Sequence, residues 1–203
     1  MTLSELSPGL FASALGCIAP GEGTLRSADA LAMARLARGD VNALGELYDR
    51  HQASVRRFAT RMTGSADDGD DLVHATFLAA LRTAGAFDAN RSCRAWLLGI
   101  TARLIRRQHS NVARWSRLLT SFRPPEPTWT RDPEGALGAR QAVERGLGRL
   151  SEAKRGVLLM AEIEGLSGEE IAQALELPIG TVWTRLHHAR RELSAILSAE
   201  EAT

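Results

Sequence analysis

Residues 167–191 constrain this chain more than any other stretch. Ser167-Gly168-Glu169-Glu170 has the form of a capping box, in which a serine and the glutamate three residues on satisfy each other's orphan backbone amides. Glu169–Arg191 then reads as two helices joined by a tight turn, with Thr181 as the cap of the second helix. In that second helix Val182, Leu186, Ala189, Leu193 and Ile196 recur at helical spacing and form an inner stripe. Trp183, Thr184, Arg185, His187, His188, Arg190 and Arg191 are left outside. Two helices joined by a tight turn, the second basic on its outer face, have the layout of a helix-turn-helix that enters a DNA major groove. The plainer alternative is a basic amphipathic helix on a small helical domain.

Ala, Leu, Arg and Glu dominate the rest, and no alternating Val, Ile and Thr runs point to strands. The chain is expected to be all-α, with two small helical domains joined by a Pro-rich linker. Residues 1–27 carry Pro8, Gly9, Gly16, Pro20, Gly21 and Gly23 and read as a flexible N-terminal extension. Leu31, Leu36, Leu44, Leu47, Val55 and Phe58 begin a first helical unit over residues 28–120. Ser65 caps a helix whose first turn holds Asp67 and Asp68 and whose stripe is Leu72, Val73, Phe77, Leu78 and Leu81. Trp96, Leu97, Ile100 and Leu104 mark a further helix. Pro124, Pro125, Pro127 and Pro133 place the linker at 121–138, and residues 139–203 form the second unit, with Ser151 capping one of its helices.

The net charge of +1 says nothing of partners, but its distribution does. From Ala89 to Pro125 there is no acidic residue, while Arg91, Arg94, Arg103, Arg106, Arg107, Arg114, Arg117 and Arg123 fall in that stretch. A solvated face interleaves both signs; a one-signed block suits a phosphate backbone.

Other constellations carry less. Asp67, Asp68, Asp70 and Asp71 at a helix start read as dipole partners and not as a metal site. His187 and His188 project about 100° apart and do not share a metal easily. Glu162 and Glu164 flank Ile163 near a helix end and read as solvated. Cys17 and Cys93 lack metal-ligand spacing and fit free thiols in a reducing cytoplasm. Nothing matches a phosphate loop, a nucleophile motif or a Cys/His metal pattern. No cofactor, no metal and no enzyme activity are expected. The N-terminus has Glu5 and no basic leader before Leu10–Ala19, and no run is long enough to span a bilayer, so a cytoplasmic protein without membrane insertion is expected.

The segment Leu150–Arg155 with Val157–Leu166, then Glu170-Ile171-Ala172, Gly180-Thr181-Val182, Arg185 and Ala189-Arg190, resembles region 4 of bacterial sigma factors, most of all the extracytoplasmic-function group of the sigma-70 family. Gly39-Asp40, Ala43-Leu44 and Glu46–His51, then Asp71-Leu72-Val73 with Phe77-Leu78, then Arg94–Leu97 with Ile100, resemble region 2 in the right order. The resemblance covers about residues 30–198 apart from the linker. It implies an alternative sigma factor that binds core RNA polymerase and directs promoter recognition, DNA melting and initiation. Asp70, Asp71, Leu72, His74 and Phe77 would bind the clamp helices of the largest polymerase subunit. Arg91, Ser92, Arg94, Arg103, Arg106 and Arg107 would line the groove for the minus-10 element, since a separated strand needs a basic channel. Thr181, Trp183, Thr184, Arg185, His188, Arg190 and Arg191 would read the minus-35 element, with region 4 on the polymerase flap. Trp96 reads as a core aromatic. An anti-sigma factor is an expected further partner.

The sequence departs from the family pattern at several places. His74-Ala75 stands where Gln-Glu is usual, Cys93 where Phe is common, and Arg103 and Arg107 where Asn and Asp are frequent. Glu176 replaces the usual Gly in the turn, a site where glycine eases a left-handed backbone. Trp183 is bulkier than usual. Two rival readings are a one-component regulator using the helix-turn-helix on duplex DNA alone, and a polymerase-binding adaptor without DNA reading.

Overall fold

The computed structural model describes residues 22–118 and 137–201, and side chains over 26–110 and 141–199. The described residues form α1 (Glu22–Ala37), α2 (Asn42–Thr63), α3 (Ala66–Thr83), a short 3-10 turn (Ala84–Ala86), α4 (Cys93–Leu118), α5 (Leu137–Arg149), α6 (Glu152–Glu162), α7 (Gly168–Leu175) and α8 (Ile179–Glu201). Helices α1–α4 make one bundle and α5–α8 a second, as the all-α reading anticipates. None of the described helices is long and apolar enough to cross a membrane. Cys17 and most of the proposed linker lie outside the described residues, as do the side chains of Arg114, Arg117 and Arg123.

Local chemistry sets the helix ends. Gly64 ends α2 in the left-handed region, and its N–H reaches Thr60 O at 2.7 Å. Ser65 is extended and its hydroxyl accepts from the Asp68 N–H at 3.2 Å, with Asp67 and Asp68 against the positive end of α3. The capping box at Ser167 and Glu170 forms in both directions, at 3.2 and 3.0 Å. Ser151 stands at the N-cap of α6 without a side-chain cap bond.

Four boundaries or faces differ from expectation. Helix α1 starts at Glu22, so residues 22–27 belong to a helix and not to the extension. Thr181 lies inside the first turn of α8, its N–H on Pro178 O at 2.9 Å, because α8 already starts at Ile179. Leu78 is expected in the buried stripe of α3 and Leu31 in the apolar pattern that opens the first unit, yet they are 53% and 69% exposed. Each sits at the margin of an apolar arc, where one step of 100° carries a side chain from core to solvent.

Buried side chains of both bundles join in one continuous apolar cluster. In the first bundle it holds Met33, Leu47, Phe58, Met62, Leu72, Leu97 and Ile105, and in the second Leu159, Met160, Ile171, Val182, Leu186 and Leu193. The stripe predicted for α8 is buried as far as Leu193, and Ile196 is half-buried. Trp96 packs edge-on to Phe87 at 5.2 Å as part of the same core. Gly99 shows how close the bundles come. A Cβ there would lie 2.3 Å from Ala174 O, so only a glycine lets α4 and α7 touch backbone to backbone.

Candidate nucleic-acid and polymerase interface

Helix α8 presents the expected face. Trp183, Thr184, His188, Arg190 and Arg191 are exposed, while Arg185 and Thr181 are half-buried, opposite the buried Val182, Leu186 and Ala189. The Trp183 indole is 50% exposed and lies on Gly168, where a Cβ would come within 2.5 Å of Cζ2. The small residue at the start of α7 is what admits the large one on α8. Thr184 donates its hydroxyl to Gly180 O at 2.8 Å. Arg190 is engaged by Glu162, at 2.9 Å from Nε and 2.5 Å from Nη2. A nucleic acid would have to compete for that guanidinium.

Before α4, Ser92 is half-buried and accepts from the Ala95 N–H at 3.3 Å, which makes it the local cap of that helix. Arg91 lies 3.6 Å from Asp88, and Arg94 is half-buried. Arg106 and Arg107 are exposed one turn beyond Arg103, with no carboxylate in ion-pair distance among the described residues. Arg103 is half-buried, and its Nη1 lies 3.2 Å from both Ala174 O and Glu176 Oε1.

On α3, Leu72 and Phe77 are buried, at 1% and 4% exposed, with Phe77 packed on Tyr48 at 4.9 Å, so in this structure neither side chain stands at the surface. The outward stripe of that helix is Asp71, His74 and Leu78, with Asp70 paired to Arg56 at 3.0 Å. Leu78 stands in this exposed row although its spacing places it in the buried stripe.

The largest correction concerns Glu164. It is 3% exposed, accepts from the Ser54 hydroxyl, and pairs with Arg57 Nη2 at 3.1 Å. Nothing local in the sequence signals this, since its partners lie on α2. Arg155 is also buried, and donates to Leu147 O at 2.8 Å, Gly148 O at 2.9 Å, Leu150 O at 3.0 Å and Met62 O at 2.6 Å. Leu147, Gly148 and Met62 lie in the last turns of α5 and α2, where carbonyls run short of intrahelical donors, and Leu150 follows α5 directly. One cation therefore caps a helix from each bundle. Burial pulls its pKa down from the usual arginine value, but a guanidinium stays protonated at any ordinary pH.

Asp29, His51 and Cys93 meet in the core of the first bundle with their ligand-type atoms within 4.8 Å of one another. His51 Nε2 lies 2.8 Å from Asp29 Oδ2, and Arg50 Nε lies 3.2 Å from Asp29 Oδ1. A cation there would have to break the first contact and face the Arg50 charge. The trio is a polar lock between α1, α2 and α4. Burial, reinforced by Asp29, pushes the Cys93 thiol far up, so it stays protonated and unreactive.

Sequence comparison decides the family. Sigma-70 region 2 matches residues 47–115 and sigma-70 region 4 matches residues 140–193. RNA polymerase sigma factor CnrH of Cupriavidus metallidurans is 30% identical, over 85% of this chain and 96% of that protein. The ECF RNA polymerase sigma factor SigL of Mycobacterium tuberculosis is 34% identical, over 74% of this chain and 86% of that one. The chain belongs to the sigma-70 family, in its extracytoplasmic-function group. It is an alternative sigma factor directing transcription initiation. Among solved structures, CnrH in complex with the cytosolic domain of CnrY superposes with a TM-score of 0.63 at 31% identity, covering 85% of this chain and 98% of that one. The sigma factor RpoE of Bartonella quintana, solved with the anti-sigma factor NepR, shares the fold with a TM-score of 0.67 at 23% identity, over 76% and 96%.

Proposed function

We propose that this sigma factor divides its work between three exposed faces. Helix α8 reads the minus-35 element through Trp183, Thr184, Arg185, His188 and Arg191, with Arg190 joining once Glu162 lets go. Donors and a methyl on the outer face of a helix-turn-helix are what base edges require. Arg91, Arg94, Arg103, Arg106 and Arg107, with Ser92 as the cap that orients them, hold the opened minus-10 strand. Asp70, Asp71, His74 and Leu78 on α3 dock on the polymerase clamp helices, over Leu72 and Phe77, which hold the helix in place from beneath. Binding, strand opening and release need no covalent step by this chain. An anti-sigma factor is a further proposed partner, by analogy with the NepR complex.

The observation that carries this reading is the outward face of α8 opposite a stripe buried to the backbone. The experiment is transcription by core RNA polymerase on templates with randomised upstream sequence, with the transcripts sequenced. A shared upstream motif, lost on Arg185→Ala with Arg191→Ala, is the expected result. No initiation from any template at saturating chain and core would sink the reading.

A further inference from the structure

Among the described residues of the second bundle, two large apolar side chains stay exposed, Ile179 at 41% and Trp183 at 50%. They stand one turn apart at the start of α8 and so neighbour each other on its surface. Single exposed apolar residues are ordinary, but a contiguous pair flanked by basic residues marks a contact surface. Both lie in the N-terminal part of the helix, the part that reaches base edges when such a helix enters the major groove.

Local structure fixes the pair. Glu176 ends α7 in the left-handed region, at φ 56°, and α8 starts three residues later. The Trp183 indole then lies across Gly168, where a Cβ would come within 2.5 Å of Cζ2, 3.0 Å of Cη2 and 3.1 Å of Cε2. Any side chain at 168 would lift the ring, so Gly168 seats it. A seated ring has little freedom left to lose on binding. Packing over one glycine does not use the whole ring, since half of it stays in solvent.

The polar groups nearest the pair are already engaged. Thr184 donates its hydroxyl to Gly180 O at 2.8 Å, and Arg190 Nε lies 2.9 Å from Glu162 Oε1. Arg185 projects from the other side of α8, and His188 and Arg191 come about one and two turns further on. The reading face is thus apolar at its start and basic beyond. In the major groove thymine alone of the four bases presents a methyl group, while the other edges offer donors and acceptors.

We propose that Trp183, seated on Gly168 and flanked by Ile179, reads thymine: its ring packs on the 5-methyl group of one thymine in the minus-35 element. The inference rests on the assignment of α8 to that element and adds a base identity to it. Trp183 makes the contact, and Gly168 is a positioning residue.

The test uses the full chain, core polymerase and a template recovered from the randomised pool. Each upstream thymine, on either strand, is replaced in turn by deoxyuridine, which removes the methyl and keeps every hydrogen-bonding group. At one position the template concentration for half-maximal initiation should rise about threefold to fivefold, the effect of burying one methyl group. Trp183→Ala should bring the ratio between the two templates to one, and Gly168→Ala should reduce it by lifting the ring. Arg191→Ala should weaken both templates alike and keep the ratio. Each ratio is taken within one variant, so a loss of folded chain cancels. A motif without a deoxyuridine-sensitive position, or a ratio that survives Trp183→Ala, overturns the methyl contact while the minus-35 reading stands. So does a guanine at the position that Trp183→Ala relaxes, since the indole N–H would then be the reading group. The absence of any upstream motif overturns the minus-35 reading, and the methyl contact with it.

Discussion

The two ends of the seam between the bundles are built differently. Where α2 meets α6, the acid is buried: Glu164 holds Ser54 and the partly exposed Arg57, and buried Arg155 reaches across to Met62 O. Where α4 meets α7, the approach is closer, backbone against Gly99, but the charges of Arg103 and Glu176 are 37% and 75% exposed. Buried polar groups fix a single geometry because any other leaves them unpaired. Exposed pairs contribute little and are screened by salt. The first end sets the docking register, and the second sets how easily ligands compete with it.

That contrast can be broken from the buried end first. Arg155→Met keeps the apolar stem and takes the guanidinium from the Met62, Gly148 and Leu150 carbonyls, so urea unfolding should show a loss of about 3 kcal/mol. A loss below about 1 kcal/mol would mean that water replaces the guanidinium freely. Glu164→Gln leaves Arg57 without its charge partner. Arg57 is itself 37% exposed, which trims the expected loss to about 2 kcal/mol, read as a fall in melting temperature.

The other end should respond less. Gly99→Ala places a methyl 2.3 Å from Ala174 O, and the helices must separate at a cost of about 1–2 kcal/mol. Faster amide exchange in α7 with unchanged exchange in α2 would locate the effect. The smallest change concerns His109, whose pKa is raised by its hydrogen bond to Glu152. A raised value means that its contribution is complete below about 6.5 and fades as pH rises through the folded value. Melting temperature should therefore fall slightly across that window, and His109→Gln should flatten the dependence. A slope of opposite sign would assign the pair no role in docking.

Much of the fold was legible from the residues alone, for reasons that are local. The capping box, the Ser65 cap, the α8 stripe and the outward basic face all follow from neighbours within four positions. The left-handed cap at Glu176 was equally readable, because the turn needs that backbone whatever residue fills it. Margins of stripes were less readable, as Leu31 and Leu78 show, since periodicity fixes the centre of a face and not its edge. Glu164 was illegible: its partners lie 107 and 110 positions away. The acid-free arginine stretch was visible, but no pattern in it says that the acids meeting it belong to the same chain.

Arg155 has one more consequence. Of the four described bonds, three lie within its own bundle, so the remaining N–H is already aimed before the partner arrives. Parting the bundles at this point exposes one carbonyl and one donor to water, both of which water can serve. The contact behaves as a preorganised snap fastener, released and remade with both halves still folded. The joint between the two bundles at this point asks for no refolding on either side, since each half keeps its own helix.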